Sequence, residues 1–227
     1  MKNTFAKSML FTAIIMTSLA ACKKDNTGPA EKPFVVTDHY VAGTITPANN
    51  AYNSVYMISL LENNKAVFIS SGNNFTGDYT LTKDSLIVII SDPANYRVAK
   101  FAINEKHELT SAYYRALTTE YKATGKLLEI EATNQLAGKT FKGEEFKMGP
   151  VSFKKDLVYK FSSTGTTYGS GTDPQTINDQ SNAFELINNS AFKFKSGSNV
   201  EMGFYTNNQL TVFRLSGLYY FGTYTQQ

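Results

Sequence analysis

Short apolar runs separated by polar turns recur along most of the chain. Val55 to Leu61, Ala66 to Ile69 and Leu86 to Ile90 are rich in β-branched or other apolar residues, and Asn63-Asn64 separates the first two runs. Runs of this length bounded by turn residues are typical of strands, and a short Asn-rich connection predicts a hairpin. Leu86 to Ile90 is apolar throughout, which predicts a strand covered on both faces. The regular spacing predicts an antiparallel all-β barrel or sandwich.

The pattern after Leu136 resembles the pattern before it. Four short phrases recur in the same order, 92 to 105 residues apart. The pairs are Ala42-Gly43-Thr44 with Ala137-Gly138-Lys139, Phe75-Thr76-Gly77 with Thr167-Tyr168-Gly169, Tyr79-Thr80-Leu81 with Phe184-Glu185-Leu186, and Leu109-Thr110 with Leu210-Thr211. A period of this size is that of a domain, not of a solenoid module. We therefore expect two tandem β lobes, residues 35–133 and 134–227, or alternatively one large barrel or sandwich built from two half-copies.

Two Gly-x-Tyr-Thr phrases favour barrels over sandwiches. Gly77-Asp78-Tyr79-Thr80 and Gly222-Thr223-Tyr224-Thr225 look like the Gly-x-Tyr strands of lipocalin-like β-barrel lipoproteins. The resemblance covers short strands only. It implies two small lipocalin-like barrels and assigns no ligand.

The beginning of the chain has the pattern of a processed leader. Lys2 and Lys7 accompany the apolar run Met9 to Met16, which is shorter than the roughly 20 residues that cross a bilayer. A basic start, a short apolar stretch and small residues before a cleavage point are typical of a secretory signal. Leu19-Ala20-Ala21-Cys22 resembles the lipobox of bacterial lipoproteins, which implies cleavage after residue 21 and acylation of the Cys22 thiol and its new amino group. The alternative is an ordinary signal peptide with a cysteine near the cut.

Cys22 is the only cysteine of the chain. Lipidation would account for it, because an exposed free thiol is a liability in a secreted protein. Two or three acyl chains hold a protein stably at a membrane, so membrane association through Cys22 needs no transmembrane helix. Residues 22–34 are polar, with two prolines, and we expect a flexible tether. Lys23 stands where an aspartate would retain a lipoprotein at the inner membrane, so the resemblance implies the outer membrane of a Gram-negative bacterium.

The charge of the chain does not indicate a nucleic-acid partner. There are 22 basic and 19 acidic residues, and loss of Lys2 and Lys7 with the leader would bring the net charge to about +1. No Lys and Arg cluster of the kind that binds phosphate backbones is evident. Aromatic residues, all Tyr or Phe, make up 13% of the chain and favour strands.

Metal and cofactor sites are not expected. The two histidines, His39 and His107, show no metal-ligand spacing. A zinc site needs three or four N, S or O ligands, and lipidation would use the one cysteine. We therefore expect surface histidines.

Catalytic signatures are also missing from the sequence. Ser170 is flanked by glycines but lacks the Gly-x-Ser-x-Gly motif of a nucleophile elbow, and it falls in Gly165 to Gln180, which we expect to be the longest loop. Glu144 and Glu145 would point to opposite faces of a strand. We expect both to be solvated charges.

Binding is the remaining function that the sequence favours. Tyr113, Tyr114, Tyr219 and Tyr220 are candidate ligand-binding residues, because tyrosine pairs at similar places in the two copies could line a barrel mouth or a cleft. One ring of each pair should face inward and the other outward. We expect a non-enzymatic, membrane-anchored envelope lipoprotein that binds a small molecule, glycan or protein partner. The alternatives are an assembly accessory of an envelope complex and a hydrolase whose carboxylates converge only in the fold.

Overall fold

Two nine-stranded antiparallel sheets make up the chain as described by the computed structural model, which covers residues 33–227. The all-β prediction is confirmed. Three 3-10 helices of three residues each, Val36–Asp38, Glu62–Asn64 and Pro93–Asn95, are the helices of this part of the chain. None of the helices between residues 33 and 227 has the length and apolar character needed to cross a membrane. The expected signal peptide, Cys22 and nearly all of the tether lie outside the described residues.

The first sheet, lobe 1, closes into a barrel. Its strands are β1 His39–Pro47, β2 Ser54–Leu61, β3 Lys65–Ser70, β4 Asn73–Leu81, β5 Ser85–Ile90, β6 Arg97–Ile103, β7 Leu109–Ala116, β8 Thr119–Ala123 and β9 Lys126–Glu129. Neighbours in sequence pair from β1 to β8, and β8 returns to β1. Eight strands enclose an interior just wide enough for side chains to fill.

Strand β1 changes partner at Gly43. The second half of β1 pairs with β8, and its first half pairs with β9. A Cβ at Gly43 would lie 2.0 Å from the carbonyl oxygen of Thr124, which is in the β8–β9 connection. The Tyr56 hydroxyl donates a hydrogen bond to the same oxygen at 2.8 Å. Only glycine allows the two backbones to approach this closely.

The second sheet, lobe 2, is a nearly closed barrel with the same strand order. Its strands are β10 Thr140–Lys147, β11 Val151–Phe161, β12 Thr167–Gly171, β13 Asn182–Ala183, β14 Glu185–Ile187, β15 Ala191–Ser196, β16 Asn199–Thr206, β17 Gln209–Ser216 and β18 Leu218–Gln226. Strand β10 pairs with both β11 and β18, as β1 pairs with β2 and β8. The short strands β13 and β14 together occupy the position of β4 and are separated by Phe184. The large single barrel considered as an alternative is therefore wrong for residues 33–227, because each lobe has a sheet of its own.

The shared strand order shows which sequence matches are structural. The matches at Tyr79 and Leu109 fall on equivalent strands, β4 with β13–β14 and β7 with β17. The match of Phe75-Thr76-Gly77 places β4 against β12, which occupies the position of β3. Gly43 corresponds instead to Gly143 of β10, where an added Cβ would lie 2.4 Å from the carbonyl oxygen of Thr223.

Asparagine pairs form several of the hairpin turns. Asn63-Asn64, Asn188-Asn189 and Asn207-Asn208 all have positive φ at both residues. They connect β2 to β3, β14 to β15 and β16 to β17. Asparagine tolerates the left-handed region better than other non-glycine residues, and tight hairpins require it. The hairpin predicted at Asn63-Asn64 is present, since β2 pairs with β3.

Aromatic side chains fill the centre of each barrel. In lobe 1 the near-parallel rings of Tyr56, Phe68 and Tyr114 form a triangle, with centroid distances of 5.2 to 6.0 Å. In lobe 2 the ring of Phe161 contacts Phe141 and Phe192 at 5.9 and 5.4 Å. Such pairs add about 0.5–1.5 kcal/mol to the gain from burial.

A third apolar cluster joins the two lobes. Lobe 1 contributes side chains from the outer face of β1, β2 and β3, and lobe 2 contributes side chains from β14 to β17. The buried members are Tyr40, Ala42, Val55, Met57, Ile69, Ile187, Ala191, Val200, Met202, Phe204 and Phe213. Strands β1 and β2 are therefore buried on both faces.

Hydrogen bonds across the junction fix the two lobes in register. The hydroxyls of Tyr40 and Ser190 are hydrogen-bonded at 2.7 Å. The Asn188 amide donates to the Ser59 hydroxyl at 2.9 Å. Burial raises the pKa of Tyr40 to about 12, against the opposing effect of its bond to Ser190.

Two strand predictions need correction. Leu86 to Ile90 does form a strand, β5, but its outer face is not covered, since Ile89 is 40% exposed. The doubly buried strands are β1 and β2, whose sequences mix polar with apolar residues because lobe 2 covers them. Residues 165–180 are not one loop, because β12 occupies 167–171.

We expect Met57→Ala to destabilise both lobes together. Met57 is fully buried in the cluster between them, and its truncation should lower the free energy of unfolding by about 2–5 kcal/mol. Urea unfolding followed by circular dichroism would measure this, with Leu81→Ala on the surface of lobe 1 as the control. Two separate transitions in the unaltered protein would contradict the coupling of the lobes.

Candidate functional site

The tyrosine pair of lobe 1 is divided between core and surface. Tyr114 is buried in the barrel centre, where its ring stacks on Phe68. Tyr113 faces outward, and its hydroxyl donates a hydrogen bond to Glu120 at 2.7 Å. The alternation expected for neighbours in a strand is observed.

The tyrosine pair of lobe 2 is divided as well. Tyr219 faces lobe 1, where its ring stacks on Tyr52 at 4.2 Å. Tyr220 faces the barrel interior near its end, with the Arg214 guanidinium 3.9 Å from its ring centroid. The two pairs do not occupy equivalent places, because Tyr113 and Tyr114 lie on β7 and the other pair lies on β18. This part of the repeat hypothesis is wrong.

A cleft of about 550 Å³ opens where equivalent hairpins of the two lobes meet. Lobe 1 contributes the β1–β2 connection, and lobe 2 contributes the β10–β11 connection and part of β18. The lining residues are Thr46, Asn50, Asn53, Phe146, Gly149, Pro150 and Phe221. Two phenylalanine rings and a proline provide apolar walls, and three polar side chains provide hydrogen-bonding groups.

Tyrosine rings connect the cleft region to the core of lobe 1. Tyr52 precedes Asn53 and bridges the lobes through its stack on Tyr219. Burial raises the pKa of Tyr52, and so does its hydrogen bond with Tyr121. The Tyr121 ring in turn lies 5.3 Å from that of Tyr114. Tyr114 and Tyr219 are thus linked through two intervening rings, which hold the β1–β2 connection in place.

Within the cleft, one polar group is already oriented. The Thr46 hydroxyl donates a hydrogen bond to the Asn53 side-chain oxygen at 2.6 Å. This bond uses one of the two lone pairs of that oxygen and orients the amide nitrogen of Asn53, which has two N–H donors for a ligand. An ordered donor beside apolar walls is the usual composition of a small-molecule site.

No family model matches the chain, and a search of the curated proteins finds no match to it. Its function is therefore inferred from its own residues.

A buried ionic cluster lies inside lobe 2. Arg214 of β17 donates two hydrogen bonds to Glu145 of β10, at 3.0 Å from Nε and 2.7 Å from Nη2. Glu201 of β16 lies 3.9 Å from the same Nε and accepts a hydrogen bond from the Tyr168 hydroxyl at 2.6 Å. A bidentate pair of this kind is strong and directional.

Glu145 corrects an expectation drawn from the sequence. It is only 1% exposed and ion-paired, whereas we expected both Glu144 and Glu145 to be solvated. Glu144 points to the other face and accepts a hydrogen bond from the Ser152 hydroxyl. The two do face opposite sides of β10, but the inward side is the barrel interior.

The cluster neutralises charge within the barrel. Burial raises the pKa of Glu201, and the Tyr168 hydrogen bond and Arg214 oppose that shift. Burial alone would lower the pKa of Arg214, but the hydrogen bonds and charge of Glu145 outweigh it and raise that pKa. Removing one partner of such a cluster would leave an uncompensated buried charge, so its members stabilise the fold only together.

The other sequence candidates do not form a site within residues 33–227. Ser170 lies on β12 and is exposed, not in a loop. His39 begins β1, and its Nδ1 lies 2.9 Å from the carbonyl oxygen of Val35. No group of three or more His, Cys, Asp or Glu residues in the described chain is placed to hold a metal ion.

A further sequence match identifies the two hairpins of the cleft. Gly43 and Gly143 lie in equivalent strands, so aligning them makes the β1–β2 turn at Asn50 the counterpart of the β10–β11 turn at Pro150, although the alignment does not indicate that the two turns meet. Both turns line the cleft. Phe146 and Phe221 carried no comparable signal, because only the register of β10 with β18 places them side by side.

We expect Glu201→Gln to flatten the pH dependence of stability. Since the folded pKa of Glu201 is raised, the folded state binds more protons than the unfolded state between the ordinary pKa of about 4.3 and the raised value. The free energy of unfolding of the unaltered protein should therefore fall as pH rises through this window, and the variant should lack that fall.

Urea unfolding at a series of pH values would measure the difference. Glu185→Gln is the matched control, because the Glu185 side chain is largely exposed. Equal slopes in the unaltered protein and in Glu201→Gln would show that Glu201 is not responsible.

Proposed function

We propose that the protein is a lipid-anchored envelope protein that binds an uncharged small molecule or glycan in the cleft between its lobes, without acting on it chemically. One observation favours the cleft over the barrel interiors as the binding site. The barrel centres are filled by stacked aromatic rings, whereas space of about 550 Å³ lies between the hairpins of the two lobes. That volume is within the range of small-molecule sites.

The lining supports an uncharged ligand. None of the seven lining residues has an ionisable side chain, and the one cation that contacts the lining, Lys122, is 3.4 Å from the Asn50 side-chain oxygen. A charged group would lose its hydration in the cleft without an ion-pair partner among the lining residues, which is unfavourable. Phe146 and Phe221 instead suit a flat apolar face, such as an aromatic ring or the C–H face of a sugar. The amide of Asn53 suits a hydroxyl or carbonyl group.

The rigid placement of the two hairpins favours binding over catalysis. The Tyr52–Tyr219 stack beside the cleft and the apolar cluster behind it hold both walls in position. A preformed site loses less conformational entropy when its ligand binds. The carboxylates Glu145 and Glu201 lie inside lobe 2 and are occupied by Arg214 and Tyr168.

The anchor rests on the resemblance of Leu19-Ala20-Ala21-Cys22 to a lipobox. We expect Cys22→Ser to prevent acylation and, after a high-salt wash, to move the protein from the membrane fraction to the soluble fraction, because the lipid chains supply the salt-resistant part of the membrane affinity. Fractionation with radiolabelled fatty acid would measure both effects. An unlabelled but still membrane-bound unaltered protein would contradict lipid anchoring.

Ligand binding is testable by saturation-transfer NMR on residues 22–227 carrying Cys22→Ser. Glucose and phenol serve as uncharged probes, and glucuronate and benzoate serve as their charged counterparts. We expect transfer to at least one uncharged probe, weaker transfer to its charged counterpart, and loss of transfer in Phe221→Ala, which removes one wall of the cleft.

Phe153→Ala is the control for this experiment. Phe153 is an exposed phenylalanine of the same lobe that does not line the cleft. Transfer that persists in Phe221→Ala would place the binding elsewhere, and transfer to none of the probes would contradict this class of ligand.

A further inference from the structure

The ends of two adjacent hairpins in lobe 2 expose apolar side chains. Val151 is 58% exposed and Phe153 is 45% exposed, and Met148 and Leu218 are each more than a third exposed. We call these four residues the apolar tip. Of the nine large apolar side chains exposed to this extent in the described chain, four are therefore at one end of one lobe.

Strand pairing makes the apolar tip a continuous surface. Strand β10 lies between β11 and β18, with Lys147 opposite both Val151 and Tyr220. The backbone N–H of Met148 donates a hydrogen bond to the carbonyl oxygen of Tyr219 at 3.0 Å. The β10–β11 turn and the start of β18 thus lie side by side.

The ring of Phe153 packs on a series of ordered side chains that continues into lobe 2. It lies 5.0 Å from the Tyr220 ring, whose other contact is the Arg214 guanidinium at 3.9 Å. Arg214 is itself held by its two hydrogen bonds to Glu145. Phe153 therefore projects from an ordered base that extends into the lobe 2 interior.

Lysines outnumber unpaired carboxylates around the apolar tip. Residues 147–155 read Lys-Met-Gly-Pro-Val-Ser-Phe-Lys-Lys and contain three lysines and no acidic residue. Of the acidic residues on either side, Asp156 is paired with Lys142 at 3.0 Å, and Glu144 keeps its charge and accepts a hydrogen bond from the Ser152 hydroxyl. Glu145 is paired with Arg214.

From this arrangement we propose that the apolar tip docks on an anionic phospholipid surface, with its apolar side chains at the acyl boundary and Lys147, Lys154 and Lys155 at the headgroups. Apolar side chains ringed by lysines combine the two interactions that hold proteins at such a surface. A protein partner fits less well, because lysines are depleted in protein interfaces. The proposal does not rest on ligand binding in the cleft.

The geometry of the hairpin suits shallow insertion. The β10–β11 turn is only three residues long, Met148 to Pro150, so little backbone would leave water. Pro150 lacks an N–H, which leaves one donor fewer to desolvate. The backbone of β10 is paired on both sides, with β11 and with β18, whereas the first half of β11 is paired with β10 alone.

Vesicle co-sedimentation of residues 22–227 carrying Cys22→Ser tests the proposal without the lipid anchor. The vesicles are phosphatidylcholine alone, or with about 30% phosphatidylglycerol to supply anionic headgroups. We expect sedimentation with the anionic vesicles that weakens with added salt, and little sedimentation with the neutral ones.

Two variants separate the apolar from the electrostatic contribution. Val151→Ser with Phe153→Ser should abolish sedimentation, and Lys154→Gln with Lys155→Gln should weaken it about tenfold or more. Leu117→Ser, which alters an exposed leucine of lobe 1, and Lys106→Gln are the controls and should bind as the unaltered chain does. Circular dichroism establishes that each variant is folded.

Three results would overturn the proposal. The first is absence of sedimentation with anionic vesicles. The second is sedimentation that both tip variants leave unchanged. The third is a dimer in sedimentation equilibrium that Val151→Ser with Phe153→Ser dissociates while vesicle binding is absent, which would assign the apolar tip to a second copy of the chain.

Discussion

The burial of the β1–β2 hairpin on both faces is the constraint on which the rest of the structure depends. Tyr56 points into lobe 1, and its neighbour Met57 points into lobe 2. One hairpin therefore belongs to two cores. Because the same hairpin ends at the cleft, its double burial also determines where Asn50 and Asn53 lie relative to Phe146 and Phe221. The packing that stabilises the molecule is thus the packing that shapes its candidate binding site.

The two lobes share a strand order but not an interior. In lobe 1 the guanidinium of Arg97 lies over the Phe75 ring at 3.5 Å and is hydrogen-bonded to Tyr114, whereas lobe 2 encloses Arg214 with two carboxylates. The contacts of Arg214 continue through Tyr220 to Phe153 at the surface. In lobe 2 the ionic cluster and the exposed apolar tip are consequently parts of one connected set of side chains.

Local features were predictable from the sequence, and features set by the other lobe were not. The turn at Asn63-Asn64 follows from the conformational tolerance of two adjacent residues, and the all-β class follows from many such local patterns. The burial of β2 depends on residues more than 100 positions away, so its mixed sequence gave no indication of it. Likewise, alternation predicted that the side chains of Glu144 and Glu145 point to opposite faces of the strand. It did not predict that one of them would form an ion pair with Arg214. The cleft was missed because its two turns meet only through the packing of lobe on lobe.

The wall of lobe 2 is interrupted at Phe184, and the number of residues near this interruption can vary in a way that lobe 1 does not allow. Where lobe 1 has the unbroken β4, lobe 2 has two strands of two and three residues. The ten residues 172–181 form the β12–β13 connection, which leads into these two short strands. Residues can be gained or lost there without disturbing the pairing of β10, β11 and β18, which carry the cleft and the apolar tip. Evolution can therefore vary one side of the barrel while the side that lines the candidate cleft keeps its register.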